Sequence, residues 1–124
     1  MKLNKHATIL LSLVLAAATA LAADVNGTWT ASFDTQVGQQ NYTYTFKVAA
    51  DGKLTGTAKS NLGEGTISDG MVKGDDVTFT ENLNYQGMTL QIAYKGKISG
   101  DEIKFTRTVA EGFDPENLVA KRSK

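Results

Sequence analysis

The chain has 124 residues, with 13 Lys and Arg against 13 Asp and Glu, no Cys, and a single His, His6. No run of either charge is long enough to grip a phosphate backbone, so nucleic acid is excluded as a partner. Because that His stands at the extreme amino end, the body of the chain lacks the means for a Ser-His-Asp triad, a Cys nucleophile or an ordinary zinc, copper or haem site. No cofactor is expected.

Lys2 and Lys5 precede an apolar run from Ala7 to Leu21, the pattern of a secretory signal peptide. Ala20-Leu21-Ala22 places small residues where a signal peptidase reads them. Cleavage after Ala22 is expected, with residues 1–22 the signal peptide and residues 23–124 a secreted or periplasmic domain. The run is shorter than the roughly 20 residues that span a bilayer and is diluted by Ala, Ser and Thr, so no membrane association is expected after cleavage. Loss of Lys2 and Lys5 tips the remaining charge slightly acidic.

From Gly27 on, apolar residues alternate with polar ones and Gly-Asp pairs punctuate them, a succession of half-buried strands. Trp29, Ala31 and Phe33 share one face of the first strand, and Tyr42, Tyr44, Phe46 and Val48 one face of the second. Asp51-Gly52 is a hairpin turn, followed by inward Leu54, Gly56 and Ala58. Gly65 and Ile67 begin the fourth strand, where Asp69-Gly70 reads as a bulge that resets the phase so that Val72 points inward. After Gly74-Asp75, Val77, Phe79 and Glu81 face in on the fifth strand. Met88, Leu90, Ile92, Tyr94, Gly96 and Ile98 keep one parity on the sixth and longest. Ser99-Gly100-Asp101 turns into Ile103, Phe105, Arg107 and Val109. A looser segment, Ala110 to Glu116, leads to a last strand from about Asn117 to Arg122, with Leu118, Ala120 and Arg122 on one face.

Eight strands, short connections and no crossover segment predict an all-β fold, a single eight-stranded antiparallel up-and-down β-barrel; eight is the number at which a small barrel is filled by side chains or holds one ligand. Closure also removes exposed sheet edges without disulfides. Strand direction separates two ends. Thr35 to Gln40, Asn61 to Gly63, Asn84 to Gly87 and Ala110 to Glu116 gather at one end, mostly looser connections and the expected mouth. The tighter turns and both termini gather at the other, the expected floor.

Gly27-Thr28-Trp29 at the first strand and Arg122 at the end of the last resemble the calycins, the lipocalin and avidin group of barrels. That resemblance implies that Trp29 plugs the floor with Arg122 over its ring. Nearly the whole mature chain is also similar to a family of small secreted bacterial lipocalin-like domains, some of which sit beside hydrolase domains. The segments that carry this are Gly27-Thr28-Trp29 with Phe33-Asp34, Lys53 to Thr57, Ile67-Ser68-Asp69-Gly70, Tyr94 to Arg107, and Ala120-Lys121-Arg122.

Glu81 and Arg107 carry charge on inward parity near Tyr42, Tyr44, Tyr85, Tyr94 and Met88. Aromatic walls with a few polar groups are how such a cavity binds a small molecule, which makes these seven residues the candidate ligand site. The plainer alternative is that Glu81 and Arg107 sit at a wet rim or pair with one another. The leading expectation is a binding protein for a small organic ligand, a sugar or lipid fragment. The competing one is an interaction module or inhibitor that acts on a secreted or envelope hydrolase. An enzyme ranks last, because no second carboxylate shares the mouth with Glu81 on inward parity.

Overall fold

The computed structural model describes residues 24–110 and 112–123; the expected signal peptide lies outside them. Eight strands follow in chain order: β1 (Gly27–Thr35), β2 (Gly38–Val48), β3 (Lys53–Ser60), β4 (Gly63–Lys73), β5 (Asp76–Tyr85), β6 (Met88–Ser99), β7 (Glu102–Thr108) and β8 (Glu116–Arg122). Each pairs antiparallel with the next, and β8 returns to β1 through Trp29↔Arg122 and Thr30↔Lys121, closing the barrel. The fold is the all-β, eight-stranded up-and-down barrel that the alternation implies.

The pleat makes this happen locally. Along β2, Gln40, Tyr42, Tyr44 and Phe46 are buried while Asn41, Thr43, Thr45 and Lys47 are exposed, so one face dissolves in the core and the other in water. On β4 the period breaks once. Asp69 adopts φ +53° and adds one residue relative to both neighbouring strands, so that the registers step between Leu54↔Gly70 and Thr57↔Thr66, and between Ser68↔Thr80 and Met71↔Thr78. The bulge lets Ile67 and Val72, five positions apart, both point inward. A side chain at Gly70 would collide with the Leu54 carbonyl, which is why glycine stands at this close approach of β4 to β3.

The expectation of looser connections at the mouth is corrected in three of four places. Gln36-Val37, Asn61-Leu62 and Gln86-Gly87 are tight two-residue links between adjoining strands. The polar stretch after Thr35 remains a strand because Gly38 to Asn41 pair with Ser32 to Thr35 of β1; the Asn61 side chain serves the other edge, its carbonyl accepting from the Asn41 N–H at 2.9 Å and its amide donating to the Gln39 carbonyl at 3.2 Å. Only the connection at 109–115, between β7 and β8, is long.

At the floor Trp29 is fully buried and donates its indole N–H to the Val25 carbonyl at 3.1 Å. The Arg122 guanidinium lies 4.4 Å from the centre of the Trp29 ring. It donates to the carbonyls of Asn26 (2.8 Å) and Asp24 (3.0 Å) and, through Nε, to the Asp101 carboxylate (3.0 Å). One side chain thus fastens the segment before β1 and the β6–β7 turn beneath the tryptophan. Above them the interior is aromatic. Phe33, Tyr42, Tyr44 and Phe46 stack in sequence at 5.1–5.6 Å, Phe79 stacks on Tyr94 at 4.3 Å, and Phe105 meets both of the latter edge-on at 5.5 Å. Their faces and edges are arranged as the ring quadrupoles favour.

Candidate functional site

Three polar residues are buried in this interior: Gln40, Glu81 and Arg107. Each reaches the barrel axis because the two-residue period of its strand leaves it no other direction. They form two separate layers.

The lower layer is centred on Glu81, which has no exposed surface. Its carboxylate accepts from the Tyr42 hydroxyl at 2.9 Å and from the Tyr94 hydroxyl at 2.8 Å. Tyr44 and Tyr94 stand 2.9 Å apart, hydroxyl to hydroxyl. Since Tyr94 commits its one proton to Glu81, Tyr44 must be the donor in that contact. Burial pushes the Glu81 carboxyl above its ordinary value, against the hydrogen bond from Tyr94, the positive charge of Arg107 and the hydrogen bond from Tyr42. Burial, and then the Glu81 charge, push Tyr42 up to about 12; burial likewise holds Tyr44 and Tyr94 well above the ordinary phenol. These hydroxyls are donors throughout the physiological range.

Arg107 forms the upper layer. Its guanidinium carbon lies 5.1–5.4 Å from the ring centres of Phe33, Tyr42 and Tyr94. Burial disfavours its charge, but Tyr94, Tyr42 and Glu81 outweigh that and hold it above its usual value, so it stays cationic. No ion pair joins it to Glu81 among the described residues. Its partner is Glu116 at the start of β8, directly across the β7–β8 ladder, with Nε 3.2 Å from Oε1. That contact brings opposite charges together without the alignment of a hydrogen bond, and Arg107 Nε, Arg107 Nη1, Glu116 Oε1 and Gln40 Oε1 are all buried with no hydrogen-bond partner.

Beside these residues a cavity of about 310 Å³ opens toward the mouth. Arg107, Gln40 and Glu116 lie at its base; Leu62, Leu83, Leu90, Ile92 and Val109 wall it, with Tyr85 beside them. Val37, Met88 and Phe113 line its outer part while 59%, 64% and 46% exposed, an apolar lip open to water. The long 109–115 connection supplies Phe113 and sets Glu116 against Arg107. No protein-family model, curated protein or solved structure matches the chain.

Of the seven candidate ligand residues, Arg107, Tyr85 and Met88 line the mouth cavity, whereas Tyr42, Tyr44, Glu81 and Tyr94 are bonded to one another below it. Neither plain alternative for the two charges describes them: Glu81 and Arg107 are both shut away from water and do not pair with each other. The expectation that the mouth lacks a second inward carboxylate is also corrected, by Glu116. Glu116 and Gln40 went unassigned although parity points to both, since each stands two residues before an assigned inward position, Leu118 and Tyr42 respectively.

Proposed function

We propose that the protein is a secreted or periplasmic lipocalin-like barrel that binds one small organic ligand at its open end. The observation that carries this is the mouth cavity, whose apolar walls meet Arg107, Gln40 and Glu116 at the base and whose outer lip is open to water. Apolar walls with a few convergent polar groups are the usual make-up of a small-molecule site. The cavity lies at the small end of the size range of ligand sites, and its aliphatic walls favour a lipid fragment over a sugar. A place among the calycins is supported by the closed eight-stranded topology and by the Trp29–Arg122 floor.

The test is native mass spectrometry of protein purified from its own host, with solvent extraction of whatever is retained. A bound small molecule, lost on mouth-filling substitution Leu90→Trp, supports the reading. Empty protein that also fails to bind an uncharged fluorophore such as N-phenyl-1-naphthylamine overturns it. The exposed lip of Val37, Met88 and Phe113 favours a second reading, an interaction module or inhibitor of a secreted hydrolase whose contact surface is the mouth. A protein co-purifying with the barrel and released by Met88→Glu would support that alternative.

A further inference from the structure

Closure of the barrel is confined to its floor end. β1 pairs with β2 along its whole length and β8 pairs with β7 from Glu116 to Lys121, yet β1 and β8 pair with each other only at Trp29↔Arg122 and Thr30↔Lys121. Two backbone hydrogen bonds show which way each main chain points. The Ser123 N–H donates to the Thr28 carbonyl across this seam, and the Arg122 N–H donates to the Asp101 carbonyl on the far side of β8. Because the pleat repeats every two residues, Thr30, Ser32 and Asp34 turn their N–H and C=O toward β8, while Lys121, Val119 and Asn117 turn theirs toward β1. Pairing serves Thr30 and Lys121 and stops there. Ser32 and Asp34 on one strand, and Asn117 and Val119 on the other, are left as two facing sheet edges. The polar side chains beside them are engaged elsewhere: the Ser32 hydroxyl donates to Asn41 of β2 at 2.7 Å, and the Asn117 amide oxygen accepts from Thr106 of β7 at 3.0 Å.

A cleft runs along this seam, reaching the inward-facing Ala31, Phe33, Phe105 and Leu118 and, on its outer side, Lys104 and Lys121. We propose that the cleft is a docking site for an extended peptide segment of a partner protein, which adds its main chain to the free edges and alternates apolar residues toward the core with acidic residues toward solvent. An unpaired edge is a template for a further strand, in which main-chain bonds supply affinity and alternate side chains supply specificity. The apolar half of the pattern answers Phe33 and Leu118. The acidic half answers the lysines: Lys104 has no carboxylate partner among the described residues, Lys121 meets the exposed Glu102 only at 3.9 Å, and no carboxylate of the described residues lines the cleft. A second copy fits less well, since the inward side chains of its own edge are spent in its own core and none is left to cover Phe33 and Leu118. The free stretch of β1, Ala31 to Thr35, sets the docked length at about five residues, roughly 17 Å of strand. This site lies on the barrel wall and is independent of any ligand in the mouth.

The test is amide hydrogen exchange, followed by NMR, on the folded protein with and without a synthetic octapeptide of alternating Val and Asp. Alone, the amides of Ser32, Asp34, Asn117 and Val119 should exchange fast, while those of Ala31, Phe33 and Leu118, which point into intact ladders, stay protected. The peptide should slow the first set about tenfold or more. In fluorescence anisotropy, the same peptide with Lys in place of Asp should bind about tenfold more weakly. Val119→Pro removes an N–H that serves no ladder, so it should fold and yet weaken the Asp peptide about tenfold. The double variant Lys104→Glu with Lys121→Glu leaves both edges intact and should reverse the preference between the two peptides. Protection of the four amides in dilute, peptide-free protein would mean that the seam is closed and would overturn the proposal. Protection that appears only as protein concentration rises would give the edge to a second copy and overturn the peptide assignment. So would equal binding of the two peptides, or no binding of the Asp peptide.

Discussion

Glu81 should make the barrel less stable as the pH rises, the reverse of what a surface-paired carboxylate does. Its carboxyl is fully buried and is held above its ordinary 4.5 by burial. In the unfolded chain it titrates near that ordinary value. Between the two values the native state therefore binds the proton and the unfolded state does not, so the stability contributed by this group is present below about 4.5 and is lost as the pH climbs to the raised native value. Each unit of upward shift corresponds to about 1.4 kcal/mol, or a fall of about 4–8 °C in Tm per kcal/mol for a domain of this size.

Glu81→Gln isolates the effect, because every other titrating group is common to parent and variant and cancels in the difference. The amide oxygen can still accept from Tyr94, while its NH2 faces Tyr42 and turns that hydroxyl from donor into acceptor. One hydrogen bond is thus rearranged, at about 1 kcal/mol. Urea unfolding at pH 4, 6 and 8 should show the parent the more stable by about that amount at pH 4. The advantage should shrink and then reverse as the pH rises. A difference that stays constant from pH 4 to 8, or that grows in the parent's favour, would refute the assignment of Glu81 as a carboxyl whose charge the barrel opposes.

Other outcomes follow from the same structure. Trp29→Ala empties the floor and should cost about 3–5 kcal/mol in urea unfolding; Arg122→Ala, which removes the stacked guanidinium and its bonds to Asn26, Asp24 and Asp101, should cost about 2 kcal/mol. Parent-like stability in both variants would refute the floor. Arg107→Met leaves Glu116 without its partner, but Glu116 borders the mouth and can turn to water, so the loss should be about 1–3 kcal/mol and be partly recovered in the double variant with Glu116→Gln. Absorbance titration at 295 nm should leave Tyr42, Tyr44 and Tyr94 largely un-ionised at pH 11 while the fold persists. Intact mass of exported protein should correspond to a chain beginning at Ala23.

The parts of this structure that could be read from sequence are those decided within a strand. Alternation follows from the pleat alone, so the inward face of every strand was legible, and so was the β4 bulge, since Ile67 and Val72 cannot share a face without an extra residue between them. The mouth was misjudged where polar composition was taken to mean loop. Gly38 to Asn41 lies in a strand because it pairs with Ser32 to Thr35 of β1, while the Asn61 side chain, twenty residues on from Asn41, satisfies its other edge.

Parity also says that a residue points inward but not whom it meets there, because that depends on shear and on register. Arg107 meets Glu116 because the long 109–115 connection happens to deliver Glu116 opposite it, a register that no turn type dictates. Glu81 reaches Tyr42 from across the barrel, 39 residues distant in sequence. Shear thus separates two charges that composition suggests as a pair. It gives the carboxylate two tyrosine donors in the core and leaves the guanidinium beneath the mouth, paired with Glu116. Which of the two borders the mouth cavity is settled by that offset, and it is the cationic one.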